Sequence, residues 1–207
     1  MPENSNARPH GAGRSSYDLV DHEKVFQRMK LRRGSTFLDM GCGPGDYAVA
    51  VAARLGEEGV VYAADLWVEA LVRLQRKAQT LKLGNIRTIV GDASGRLPIE
   101  SRTVDVCLMA AVLHDFLREG VALRALSEVE RLLKPEGSLA VLEFKKIEGP
   151  PGPPRDVRLT PEDVERLIAP HGLLSREVLE VGPYHYLVIF DRGWPVGRKS
   201  RQAELPS

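Results

Sequence analysis

Short apolar runs alternate with amphipathic stretches along most of the chain. Val25, Phe26 and Met29 recur at helical spacing and predict a helix over residues 20–30. The run Thr36-Phe37-Leu38-Asp39-Met40 predicts a first strand, followed by a helix over 46–55. The alternation then repeats: strand 60–65, helix 68–82, strand 86–90, strand 104–109, helix 117–133, strand 138–144. The largely apolar 104–109 segment suits a central parallel strand buried on both faces. Val121, Ala125, Val129, Leu132 and Leu133 give the long helix its core stripe, and Pro135 and Gly137 end it.

The last third reads differently. Thr160-Pro161-Glu162-Asp163 is a helix start, with a Thr cap, Pro at the first helical position and acids in the first turn. That helix is expected to reach residue 169. Two strand-like runs follow, 175–181 and 184–190, with only Gly182 and Pro183 between them. So short a link cannot carry a parallel crossover, so the pair is expected to be antiparallel. The expected fold is α/β, a Rossmann-like three-layer sandwich. Its mixed seven-stranded sheet has an antiparallel last strand closing the C-terminal edge. One domain over 17–192 is expected between tails at 1–16 and 193–207, both polar and poor in core residues.

Composition adds limits. The 207 residues suffice for one sizeable core. A net charge of +1 supplies no global field for a polyanion, so nucleic acid is not favoured as a partner. Cys42 and Cys107 have no metal-site or disulfide spacing and read as free thiols of a reducing cytosol. No apolar run is long enough to span a membrane, and the N-terminus lacks a signal core; a cytoplasmic protein is expected. Monomer and homodimer both stay open.

The chemistry concentrates where the first strand meets the first core helix. Asp39-Met40-Gly41-Cys42-Gly43-Pro44-Gly45-Asp46 is a strand end, a tight glycine turn and a helix start, the position where open α/β sheets bind nucleotide-like ligands. Gly41 and Gly43 allow close backbone approach. Asp65 ends the neighbouring strand, where a carboxylate can accept hydrogen bonds from ribose hydroxyls. Asp39 would repel a pyrophosphate but can accept from an ammonium group. Asp46 takes the place of the third glycine of a dinucleotide fingerprint, which argues against a dehydrogenase. Asp92, in Gly91-Asp92-Ala93, either receives an adenine amino group or only forms a turn.

These residues, with the segment 104–114 and Leu132-Leu133-Lys134-Pro135-Glu136-Gly137, resemble the class I S-adenosylmethionine-dependent methyltransferases over about residues 20–190. The resemblance is to the small-molecule branch that includes ubiquinone and menaquinone methyltransferases. It implies S-adenosylmethionine as cofactor and a small-molecule acceptor. It also implies that Gly41, Gly43, Gly45 and the adjoining backbone hold the methionine portion. Asp65, with Leu66, would then meet the ribose, Asp92 and Ala93 border the adenine, and Ala110 lie beside the methionine end.

The acceptor side is read from the residues past the fourth and fifth strands. His114 is a candidate general base or else a loop histidine gripping its surroundings. Asp115 is a second candidate, or the cap of the following helix. Glu143 either lines the pocket or pairs with Lys145 or Lys146. Tyr17 and Asp18 are placed to close over the cofactor. The proline-rich stretch 149–154 is either a wall of the acceptor pocket or a stiff linker. A protein or RNA methyltransferase, an NAD-dependent oxidoreductase and a non-catalytic cofactor-binding protein are the alternatives.

Overall fold

Strand β1 (Thr36–Met40) buries Phe37, Leu38 and Met40 completely because it pairs on both sides and is covered on both faces. The computed structural model describes residues 15–92 and 95–193; residues 1–14 of the tail expected at 1–16, residues 194–207 of that expected at 193–207, and Ala93 lie outside the described residues. Strand β2 (Val60–Asp65) pairs in parallel with β1, and β3 (Ile86–Val90) with β2. Strand β4 (Val104–Ala110) lies on the other side of β1, followed by β5 (Leu133–Phe144), again parallel. The seven strands run in the order β3-β2-β1-β4-β5-β7-β6, with β6 spanning Leu173–Glu180 and β7 spanning His185–Arg192.

Helices cover both faces. α1 (His22–Arg28), α2 (Asp46–Leu55) and α3 (Val68–Thr80) pack Val25, Val51 and Leu74 with Phe37, Leu108 and Leu142. α5 (Ala122–Leu132) and α6 (Pro161–Ile168) bury Leu126, Val129 and Val164 with Leu38, Met109 and Val141 on the opposite face. Alternate residues of one strand thus serve two cores, the pattern of a sheet buried on both sides.

Three features differ from the expectation. The long helix over 117–133 is two helices, α4 (Leu113–Arg118) and α5, because Gly120 turns into the left-handed region at φ 70° and ends the first. Strand β5 begins at Leu133, not 138: Leu133 pairs with Val104, and residues 134–137 form a bulge before Ser138 pairs with Val106. The last strand is antiparallel, but it does not close the edge. It sits between β5 and β6, antiparallel to both. The reason is visible in the side chains. β7 is apolar and buried from Tyr186 to Phe190, whereas β6 carries the polar run Ser175-Arg176-Glu177 and ends on Glu180, which suits an edge.

The start of α6 carries a full capping box: Asp163 N–H donates to Thr160 Oγ1 at 3.2 Å, and Thr160 N–H to Asp163 Oδ2 at 3.0 Å.

Candidate active site

The carboxyl ends of the parallel strands bring the predicted residues to one edge of the sheet. At the end of β1, Asp39 is 1 % exposed and its Oδ2 has no hydrogen-bond partner among the described residues. Burial, then the nearby charge of Asp65, pushes its carboxyl up to about 8; a backbone hydrogen bond from Ala48 opposes them. Such an acid is stable when neutral or when a cation joins it.

The turn that follows is built by left-handed glycines, with φ of 73° at Gly41, 50° at Gly43 and 79° at Gly45. At Gly41 a Cβ would lie 2.6 Å from Val112 Cγ2, so the loop packs directly on the entry to α4. At Gly45, the N-cap of α2, a Cβ would collide with the Leu74 side chain at 2.6 Å. The amides of Gly41 and Cys42 both donate to Ala64 O, at 2.9 and 3.1 Å. The Gly43 amide donates to Asp65 Oδ2 at 2.7 Å, and the Trp67 amide to Asp65 Oδ1 at 2.8 Å. One carboxylate therefore ties the glycine turn to the start of α3. It keeps free capacity, since a carboxylate offers about four lone-pair directions. Leu66, between Asp65 and Trp67, is half exposed. Asp46 opens α2 and pairs with Lys77 at 2.9 Å, which puts an acid where a pyrophosphate would have to sit.

Asp92 follows β3, and its carbonyl accepts from Gly95 N–H at 2.9 Å. Ala110 ends β4 and is half-buried beside the β1 turn. Ala111, which the sequence reading passed over, takes a left-handed φ of 53° and turns the chain from β4 into α4. A non-glycine residue there is strained, and the strain sits at the site.

That turn aims His114 at the end of β5. His114 Nδ1 lies 2.8 Å from Glu143 Oε2, and its backbone N–H donates to Glu143 Oε1 at 3.2 Å. Glu143 is fully buried. With the carboxylate accepting, Nδ1 carries the proton and Nε2 keeps its lone pair. Nε2 stands 3.7 Å from Asp115 Oδ2. Burial pulls the His114 ring down, but the Glu143 hydrogen bond and charge, helped by Asp115, hold it above the ordinary histidine value. Asp115 is not a cap: it lies inside α4, whose N-cap is Val112, and binds Arg118 at 2.7 Å. Lys145 and Lys146 do not take Glu143; they pair with Glu180 at 2.9 Å and Asp163 at 3.9 Å.

Beside the glycine turn, Tyr17 stacks on His22 with ring centroids 4.5 Å apart and meets Tyr47 edge-on at 5.1 Å. Tyr47 is also within 3.0 Å of the Ser16 hydroxyl. Tyr47 sits in the first turn of α2, so the N-terminal segment rests against the glycine turn through it. Tyr47 and Ser16 were not legible as site residues, because they are far apart in the chain and neither belongs to a motif.

Residues 37–137 match the family model described as a methyltransferase domain. A solved structure of an S-adenosylmethionine-dependent methyltransferase from Aquifex aeolicus superposes with a TM-score of 0.78 at 31% identity, covering 86% of this chain and 92% of that one. The chain belongs to the S-adenosylmethionine-dependent methyltransferases. Among curated relatives, the demethylmenaquinone methyltransferase of Geobacillus kaustophilus is 32% identical over 124 residues, 58% of this chain and 50% of that one. The ubiquinone/menaquinone biosynthesis C-methyltransferase of Azotobacter vinelandii is 37% identical over 163 residues, 70% of this chain and 62% of that one. The chain spans about half the length of most of the curated relatives it matches. The family's methyl donor, S-adenosylmethionine, fits the residues present in this methyltransferase. Its ammonium would answer the buried oxygen of Asp39, and its ribose diol would meet the remaining capacity of Asp65. No helix among the described residues is long and apolar enough to cross a membrane.

Proposed function

We propose that this methyltransferase transfers the methyl group of S-adenosylmethionine to a small acceptor that must lose a proton, a hydroxylated ring of the hydroquinone class. The observation that carries the reading is the buried His114–Glu143 pair, held at 2.8 Å at the strand ends beside the glycine turn. Simple alignment of two reactants needs no base. A buried imidazole with its Nδ1 proton fixed by a carboxylate is set up to take a proton at Nε2. The names of the curated relatives, which act in quinone biosynthesis, point to the same acceptor class.

In this reading Asp39 accepts from the donor's ammonium group. Asp65 accepts from the ribose hydroxyls while its existing bonds keep the turn closed. Leu66 and Asp92 border the adenosine, and Ala110 the methionine end. The bound donor supplies an electrophilic methyl group on a sulfonium. His114 Nε2 receives the ring hydroxyl proton as the acceptor becomes nucleophilic, and Glu143 steadies the imidazolium. Asp115, bound to Arg118, adds a second negative charge beside Nε2.

The test is methyl transfer from tritiated S-adenosylmethionine to a panel of hydroquinones, phenols, amines and thiols. Labelled product is expected with hydroquinones. Transfer confined to amines or thiols, with the donor bound, would sink the acceptor class.

A further inference from the structure

Arg158 is one of the largest fully buried side chains of the molecule, 2 % exposed. Its partners are carbonyls, not carboxylates. Nε donates to Pro153 O at 2.8 Å, and Nη1 to Lys145 O and Ile147 O at 3.1 and 3.0 Å. Nη2 donates to Gly149 O and Pro151 O at 2.7 and 2.9 Å. A guanidinium has five N–H donors, and all are used here on one segment. None remains for a ligand, so Arg158 does not touch substrate.

The segment it gathers is the proline-rich stretch between β5 and α6. Proline removes donors and β-ladder pairing from such a stretch, and the guanidinium supplies the missing organisation from its centre. The effect reaches the site through Phe144. The Arg158 guanidinium lies over the Phe144 ring at 5.5 Å. Gly152, at φ 102°, brings its backbone so close to that ring that a Cβ would lie 2.5 Å from Phe144 Cε1. Phe144 in turn meets His114 edge-on, centroids 6.3 Å apart, and packs on His185 at 4.2 Å. His185 is fully buried, and burial together with the Arg158 and Lys145 charges holds its pKa down to about 4, so it adds no competing proton.

We propose that Arg158 is a positioning residue for the acceptor side: it fixes residues 145–153 as a preformed wall and, through Phe144, sets the His114 ring. The proposal rests on His114 serving as the base. It makes the wall a standing part of the protein, independent of the donor.

The test uses Arg158→Met, with Arg158→Lys and Gly152→Ala as companions; the last displaces Phe144 while leaving the guanidinium in place. The first readout needs no substrate. Carbon–proton NMR of the His114 ring, assigned with His114→Asn, reports the ring current of Phe144. In Arg158→Met those signals should move, and trypsin should cut faster at Lys145, Lys146 and Arg155. Affinity for S-adenosylhomocysteine by calorimetry should stay within about twofold. With 1,4-naphthohydroquinone as probe, turnover should fall about 100-fold, the scale of a misplaced reacting group. Gly152→Ala should give the same signature. Unmoved His114 signals in Arg158→Met would overturn the proposal, as would loss of donor affinity equal to the loss of turnover. If Arg158→Met does not fold, wild-type His114 signals in both companions overturn it. A wild type that leaves the hydroquinone unmethylated while His114 still shifts in the variants counts against the acceptor class alone.

Discussion

Glu143 Oε2 and His114 Nδ1 lie 2.8 Å apart, the carboxylate fully buried, though 29 positions separate the two residues in the chain. The pairing raises the His114 pKa, so the imidazole stays protonated further up the pH scale than an ordinary histidine. A base must be neutral, so the acidic limb of the turnover profile should sit above 6.5, the ordinary value. Glu143→Gln removes the raising cause and should move that limb towards acid while lowering the plateau. His114→Asn should lower turnover by about 100-fold or more with donor affinity kept. A pH profile of Glu143→Gln that overlays the wild type would reduce Glu143 to a structural acid.

The same shift has a stability consequence. A group with a raised folded-state pKa contributes stability that is complete below the unfolded value and lost as pH rises through the folded one. The proton-linked part of the His114–Glu143 pairing should therefore support the fold fully below about 6.5 and fade as pH rises through the raised value, leaving the hydrogen bond from the neutral ring's Nδ1–H. Denaturant melts across that window should show the stability gap between wild type and His114→Asn narrowing towards the alkaline end.

Asp39 makes a second proton-linked prediction. Its carboxyl is raised from 3.8 to about 8, so the ligand-free protein holds a proton there near neutrality. Its stability contribution is complete below 3.8 and declines up to about 8. An ammonium partner favours the charged form, so donor binding near neutrality should release a proton from Asp39. Calorimetry with S-adenosylhomocysteine in buffers of different ionisation heat should show that release in the wild type. Asp39→Asn should abolish it, weaken binding, and flatten the stability profile between 3.8 and about 8. Binding heats independent of buffer would remove Asp39 from the ammonium contact.

Asp65 anchors two backbone amides, those of Gly43 and Trp67. Hydrogen bonds to a charged group are worth about 1.5–3 kcal/mol each. Asp65→Ala should therefore weaken donor binding by at least about tenfold and increase hydrogen exchange at Gly43 and Trp67. Unchanged exchange at both amides would contradict the anchoring role.

Gly41→Ala places a Cβ 2.6 Å from Val112 Cγ2 at a φ of 73°. Val112 leads directly into His114, so this change should disturb both halves of the site. Donor affinity and turnover should both fall in Gly41→Ala. Gly120→Ala, at φ 70° but with open space around it, should cost stability alone.

What was legible in the sequence lay close together in it. Asp39 and the glycine turn are contiguous, and Asp65 ends the next strand, so strand-end geometry placed them at one edge. The Thr160 capping box was legible for the same reason. Long-range pairings were not. His114 and Glu143 each read as candidates, but nothing local chose Glu143 over Lys145 or Lys146 as partners. Asp115 read as a cap because the preceding residues looked like loop; the strained turn at Ala111 starts the helix earlier. Arg158 belongs to no motif, and its five carbonyl partners carry no side-chain signal. The position of β7 was misjudged as the edge, although the signal was present. Its continuous apolar run marks an interior strand, while the short link from β6 only fixed the antiparallel pairing.

The place of β7 also constrains how the chain can be made. β6 emerges from the ribosome before β7, yet among the described residues its only partner in the sheet is β7. Until residues 185–192 are out, β6 has no strand to join. The apolar edge of β5 from Leu139 to Phe144 also stays open to other chains. The half of the sheet that carries the donor turn can assemble during synthesis, but the half that carries Glu143 must wait. A ribosome stalled short of residue 185 would hold a nascent chain with an exposed strand edge, the kind of intermediate that chaperones shield.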